Sequence, residues 1–142
     1  MRINEVLKGK PQGVITIAPE ATVRELLALL AEHNVGALIV SSDGTAVDGI
    51  VSERDVVRSL HRDPAVLDSP VEGIMTSSVH TCEPSASVDE LMALMTEHRF
   101  RHVPVVTDGR LTGIISIGDV VKSRMAELEF ERDQLDHYVH QT

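Results

Sequence analysis

The sequence predicts an α+β fold: two β-α-β-β-α motifs packed with pseudo-two-fold symmetry into one module, plus a C-terminal helical extension. Three observations carry this. The chain repeats itself, each repeat alternates short apolar strands with capped amphipathic helices, and the last helical pattern runs on past the end of the repeat. Residues 14–44 align with residues 79–109 at a constant offset of 65, and residues 49–59 align with 113–123 at an offset of 64, with 21 identities in 42 pairs. Unrelated sequences of ordinary composition would share roughly one pair in fifteen. Such self-similarity marks one supersecondary unit used twice.

Each copy opens on a short apolar strand, Val14-Ile15-Thr16-Ile17 or Val79-His80-Thr81-Cys82, that runs into Pro19 or Pro84. Thr22-Val23-Arg24-Glu25 and Ser87-Val88-Asp89-Glu90 read as capping boxes, with a hydroxyl at the N-cap and Glu three residues on. Leu26, Leu29 and Leu30 then form one apolar helical stripe, and Leu91, Leu94 and Met95 form its counterpart. Met92 and Met95 stand where the first copy has Leu27 and Leu30, which makes them core residues.

Aliphatic runs at 37–40 and 103–106 follow, then the turn signals Asp43-Gly44 and Asp108-Gly109. Gly49-Ile50-Val51 and Gly113-Ile114-Ile115 make the return strands, and a second helix opens near Asp55 and Asp119. Neither copy can bury its helices and sheet alone, so the two are expected to pack sheet against sheet. The first motif spans 1–61, the second 62–124 and the extension 125–142. Pro64 and Pro70 punctuate the connection, and residues 71–75 before the second copy resemble residues 3–7 before the first.

In the extension, Val121, Met125, Leu128, Arg132, Leu135 and Val139 follow one another at spacings of 4, 3, 4, 3 and 4. This is a heptad seam interrupted by one charge. Two to three heptads make only a marginal coiled coil alone, so the helix needs the module or a second subunit to pack on. A homodimer is the expectation; the other reading is a docking surface for a different protein.

Composition narrows the function. Hydrophobic residues make up 42% and aromatics 2%, so the core is aliphatic. The net charge of −9 argues against nucleic acid and anionic membranes as partners, since both need a basic surface. It does not exclude a small anionic ligand in a locally positive pocket. No apolar run approaches membrane-spanning length and the start carries no apolar signal region, so a cytoplasmic protein is expected. The lone cysteine, Cys82, leaves no disulfide framework and reads as a buried thiol. His137 and His140 lie at helical spacing without a third ligand, and His98 and His102 straddle a helix end, so no metal site is expected. No paired catalytic carboxylates, Gly-rich phosphate loop or nucleophile elbow is present, so the chain is read as a non-enzyme.

Gly49-Ile50-Val51-Ser52-Glu53-Arg54-Asp55, Gly113-Ile114-Ile115-Ser116-Ile117-Gly118-Asp119 and the strand entry Phe100-Arg101-His102-Val103-Pro104-Val105 together resemble the cystathionine-β-synthase (CBS) motif. The resemblance covers nearly residues 1–124. It implies a stand-alone pair of the Bateman type, a regulatory module whose central cleft offers two sites for adenosine compounds: AMP foremost, then NAD(H), ADP, ATP or S-adenosylmethionine. Ligand occupancy would be signalled in trans to a regulated protein.

The residue chemistry fits that expectation. A carboxylate accepts two hydrogen bonds at once and the vicinal hydroxyls of ribose donate two, so Asp55 and Asp119 are assigned to ribose. Each could instead merely favour its own helix start. Ser52 and Ser116 lie three residues earlier, where they can cap the helix or bind phosphate beside free amides. Arg54, Arg101 and His102 are candidates for the phosphate; their repeat partners Gly118, Gly36 and Ala37 are uncharged, so the two sites should be unequal. By the resemblance, Thr16 and Thr81 line the adenine and ribose pocket. Ile17, Ala37, Leu38, Cys82, Val103 and Pro104 are candidate walls, or ordinary core. Three functions compete: a nucleotide-binding sensor, an interaction module with a vestigial pocket that works through the C-terminal helix, and a nucleotide hydrolase.

Overall fold

A computed structural model describes residues 1–11 and 13–140. The first helix, α1 (Ile3–Lys8), is followed by β1 (Thr16–Ile17), α2 (Val23–His33), β2 (Ala37–Val40), β3 (Gly49–Ser52) and α3 (Glu53–Arg62). Two short 3-10 turns, Pro64–Asp68 and Val71–Gly73, lead to α4 (Val88–His98), β4 (His102–Thr107), β5 (Arg110–Ser116) and α5 (Ile117–His140).

The β-α-β-β-α order therefore recurs as expected, with one shortfall. In the first copy β1 pairs parallel to β2, which pairs antiparallel to β3. In the second, β4 and β5 form an antiparallel pair, and the expected entry strand shrinks to one parallel bridge, Cys82 to Val105. The reason lies just upstream. Thr76 exchanges both backbone hydrogen bonds with Ile50 of the other sheet, each 2.9 Å. The chain must then cross from one sheet to the other within six residues, and only Cys82 reaches register.

Local chemistry sets the helix ends. Thr22 Oγ1 accepts from the Glu25 amide at 3.1 Å and Glu25 returns a carboxylate to the Thr22 amide, a complete capping box. Ser87 accepts from the Glu90 amide at 3.0 Å. Both helices end on a left-handed residue, Asn34 at φ 52° and Arg99 at φ 58°. The second helices open two residues earlier than the aspartates suggested, because Ser52 is the N-cap of α3. Ser116 takes the same place before α5, its hydroxyl accepting from the Asp119 amide at 3.1 Å.

Two aliphatic cores result, each completed by the segment that precedes the other repeat. Val66 and Val71 join Ile17, Val23, Leu26, Leu38, Val40 and Val51. Ile3 and Val6 join Val88, Leu91, Val103, Val105, Ile115 and Val120. Backbone bonds fix both exchanges: Val71 N–H to Ala21 O at 2.8 Å, and Ile3 N–H to Ala86 O at 3.0 Å. Each fully buried side chain contributes about 1.5–3 kcal/mol.

α5 does not use its apolar seam on the module. Val121, Met125, Leu128 and Leu135 are 48, 56, 54 and 65% exposed, so packing of the seam on its own subunit, one of the two alternatives above, is not what the fold does.

Gly49 allows the close crossing of Thr76. A Cβ there would stand 2.5 Å from Met75 Sδ and 2.9 Å from the Thr76 carbonyl oxygen. Gly49→Ala is expected to cost about 1–3 kcal/mol by overpacking. Gly73→Ala, with open space around its Cβ and no left-handed φ, should stay within about 0.5 kcal/mol of the parent. Urea unfolding of the two variants checks the contrast.

Candidate functional site

A cavity of about 300 Å³ lies between the repeats, at the lower end of the roughly 300–1,000 Å³ usual for small-molecule sites. The first repeat brings Gly36, Ala37, Ile50 and the whole α3 start, Ser52 to Asp55. The second brings Thr76, Ser78, Val79 and His80 from the crossing segment, and Arg99 to His102 from the turn between α4 and β4. The Ile50–Thr76 backbone pair is what holds the crossing segment over the α3 start.

The α3 start is a reciprocal cap. Asp55 Oδ2 accepts from the Ser52 amide at 2.8 Å and the Ser52 hydroxyl at 3.0 Å. Oδ1 has no protein hydrogen-bond partner among the described residues. The helix-favouring role and a ligand role thus use different oxygens of one carboxylate.

Three guanidiniums, Arg54, Arg99 and Arg101, stand on this cavity, and none has an ion-pair partner among the described residues. Their repeat counterparts are Gly118, Asn34 and Gly36, so the cationic wall belongs to one cleft only. The wall beside it is aromatic: the His80 and Phe100 rings stack with centroids 5.2 Å apart, and His98 stacks behind them at 4.6 and 5.7 Å. His102 sits deeper. Burial and then the Lys10 ammonium hold its imidazole below the usual 6.5, with Arg101 acting the same way and Asp119 and Glu53 opposing.

Asp119 is differently engaged. Its Oδ2 accepts from Lys10 Nζ at 2.7 Å and from the Ser116 amide at 2.9 Å. Burial pushes its carboxyl up, but the Lys10 and Ser116 hydrogen bonds and the Lys10 charge outweigh this and hold it below 3.8.

Of the sequence candidates, Ser52, Arg54, Asp55, Ala37, Arg101 and His102 come together in the cavity. Ser116 and Asp119 do not line it; they form the equivalent helix start on the other side of the pseudo-two-fold axis. Ile17, Leu38 and Val103 are 4, 2 and 0% exposed and Pro104 is buried, because these strand faces fill the cores. Thr16 is half-buried in β1. Thr81 and Cys82 line a separate hollow of about 630 Å³ beside Glu83, Glu90 and Asp108. Burial pushes the Cys82 thiol up to about 11, so it stays protonated at neutral pH. Sequence reasoning missed Arg99, Phe100, His80 and Glu53. The divergence that singled out Arg101 extends to Arg99 and Phe100, which face Asn34 and Val35 in the alignment. Among the described residues no group of three or more His, Cys, Asp or Glu could hold a metal ion, and no helix is long and apolar enough to cross a membrane.

The CBS domain family model matches residues 11–62 and 71–126. The chain belongs to the CBS-domain family. It is 34% identical over 146 residues to a mitochondrial CBS domain-containing protein of Arabidopsis thaliana, covering 96% of this chain and 71% of that protein. The crystal structure of a CBS-domain containing protein from Agrobacterium tumefaciens is 41% identical with a TM-score of 0.84, covering 87% of this chain and 99% of that one. A CBS-domain protein of Pyrobaculum aerophilum, solved in complex with AMP, is 31% identical with a TM-score of 0.80, covering 93% and 99%. The paired CBS architecture is thus shared with solved relatives, and in this chain it ends on the long helix α5.

The depressed His102 titration has a fixed sign. Between its ordinary and its folded value the unfolded chain binds the proton and the folded chain does not, so stability is complete above about 6.5 and falls as pH drops through the folded value. The urea midpoint should fall as pH drops below about 6.5, and His102→Gln should make that fall shallower.

Proposed function

We propose that this CBS pair is a sensor of adenine nucleotides, AMP foremost, that reports occupancy in trans to a partner protein and catalyses nothing itself. One observation carries the reading: Asp55, with a free carboxylate oxygen, shares a cavity with three unpaired guanidiniums and a stacked aromatic wall. In this reading Asp55 takes the ribose hydroxyls and Ser52 and the α3 amides stand beside it. Arg54, Arg99 and Arg101 take the phosphate, and the His80–Phe100 wall takes the flat base. The complex of the Pyrobaculum relative with AMP supports the ligand class. The cationic wall favours anionic nucleotides over S-adenosylmethionine, whose sulfonium is itself positive. NAD(H), ADP and ATP share the anionic chemistry and rank behind AMP. The ribose role expected for both aspartates is proposed for Asp55 alone, since Asp119 carries Lys10. The proposed organisation is a first motif over 1–61, a second over 62–124 and an extension over 125–142, acting in the cytoplasm.

A second reading rests on the exposed seam of α5: a homodimer, or an interaction module whose pocket is vestigial. Leu128→Lys with Leu135→Lys should shift the sedimentation profile to monomer if α5 pairs, and leave AMP binding in place.

AMP at one hundred times its dissociation constant should stabilise the chain by about 2.7 kcal/mol. At the same AMP concentration Asp55→Ala should cut this stabilisation to about 0.4–1.4 kcal/mol, read by thermal unfolding. Arg99→Ala and Arg101→Ala should weaken AMP while leaving adenosine nearly unchanged. Unshifted melting curves for the whole nucleotide panel would sink the sensor reading.

A further inference from the structure

The repeat does not account for Lys10. The two return-strand glycines identify equivalent positions: a Cβ at Gly49 would meet Met75, and a Cβ at Gly113 would meet Leu7 at 2.8 Å. From Met75 to Val79 there are three intervening residues; from Leu7 to Val14 there are six. The first repeat thus carries three extra residues at the point where the second repeat crosses between sheets. Lys10 lies in that longer segment.

Its ammonium does what a backbone amide does in the other cleft. Ile50 O accepts from the Thr76 amide at 2.9 Å. Its repeat equivalent, Ile114 O, accepts from Lys10 Nζ at 2.7 Å. The same nitrogen then reaches Asp119 Oδ2 at 2.7 Å, with the two side chains 29 and 23% exposed. Among the described residues Asp55 receives no such cation. Charge-assisted hydrogen bonds of this length are among the stronger ones, and here both ends of the bridge belong to the protein.

We infer that Lys10 closes the Asp119 cleft to ribose, so that the chain takes one adenosine-type ligand, at Asp55, and not two. The inference rests on the adenosine reading above and adds the residue that decides stoichiometry. Asp119 Oδ1, like Asp55 Oδ1, has no hydrogen-bond partner among the described residues, so the block lies in the ammonium itself. It stands at the carboxylate, already neutralises the charge a ribose would donate to, and is held there by the Ile114 carbonyl as well. The guanidiniums of the Asp55 cleft have no repeat counterparts there: Gly118, Asn34 and Gly36 stand at those positions.

Two measurements on the full chain test this. In the first, lysine acetylation is followed by mass spectrometry without any nucleotide. Lys10 should react more slowly than the exposed Lys8, and Asp119→Asn should abolish the protection. Equal rates for the two lysines in the parent protein overturn the inference. In the second, AMP binding is titrated by calorimetry. The parent should bind one AMP per chain. Asp55→Ala should raise the dissociation constant about 10- to 100-fold, the worth of hydrogen bonds to a charged group, and Asp119→Asn should leave it unchanged. Lys10→Met should add a second binding event that is absent from Lys10→Met with Asp119→Asn. Two AMP per chain in the parent, one of them lost in Asp119→Asn, overturns the inference. No AMP bound by any variant, with Lys10 still protected, counts against the adenosine reading and leaves the closed cleft standing.

Discussion

The architecture turns on a single backbone crossing. Ile50 and Thr76 exchange two hydrogen bonds across the boundary between repeats, and they can do so only because position 49 lacks a side chain. That pair converts two small β-α-β-β-α units into one module. It carries residues 76–80 over the start of α3, so the cavity has one wall from each repeat. The exchange of flanking segments reinforces this, since each core needs apolar residues that lie upstream of the other copy. Neither half retains its own site or its own complete core when separated.

Electrostatics then distinguish the two sides of the pseudo-two-fold axis. The chain is strongly acidic overall, yet three guanidiniums gather in one cleft, outnumbering the Glu53 and Asp55 carboxylates there and ion-paired with none among the described residues. A local positive field inside an acidic protein selects small anions without attracting polyanions to the surface at large. His102, held neutral by burial and by Lys10, adds a hydrogen-bonding group there without adding charge at neutral pH. On the opposite side of the axis Asp119 is already paired with Lys10.

Much of the fold was legible in the chain. Period and caps located the helices, because Thr22 with Glu25 and Ser87 with Glu90 state their own hydrogen bonds in sequence. Five of the six candidates that meet in the cavity came from the Ser-x-x-Asp junction and from comparing the copies at Arg101 and His102; the sixth, Ala37, came from the apolar wall set. The candidates that went elsewhere were Asp119 and Ser116 at the other helix start and strand residues such as Leu38 and Val103. A continuous apolar run does not say which face meets a cavity and which meets the core. Arg99 was hidden by its position at a helix C-cap, where Asn is the familiar residue and a cation reads as a complement to the helix dipole.

The sequence by itself determined the duplication, the order of elements, the helix starts and the acidic residue at each second helix. These are local or self-referential properties, settled by neighbours within a few residues or by comparing the chain with itself. Tertiary structure alone decided which of two equivalent aspartates faces an open cavity. That choice depends on a loop three residues longer and on contacts more than one hundred positions apart, Lys10 with Ile114 and Asp119. No periodicity or spacing encodes such a meeting, because it exists only once both sheets have been brought together.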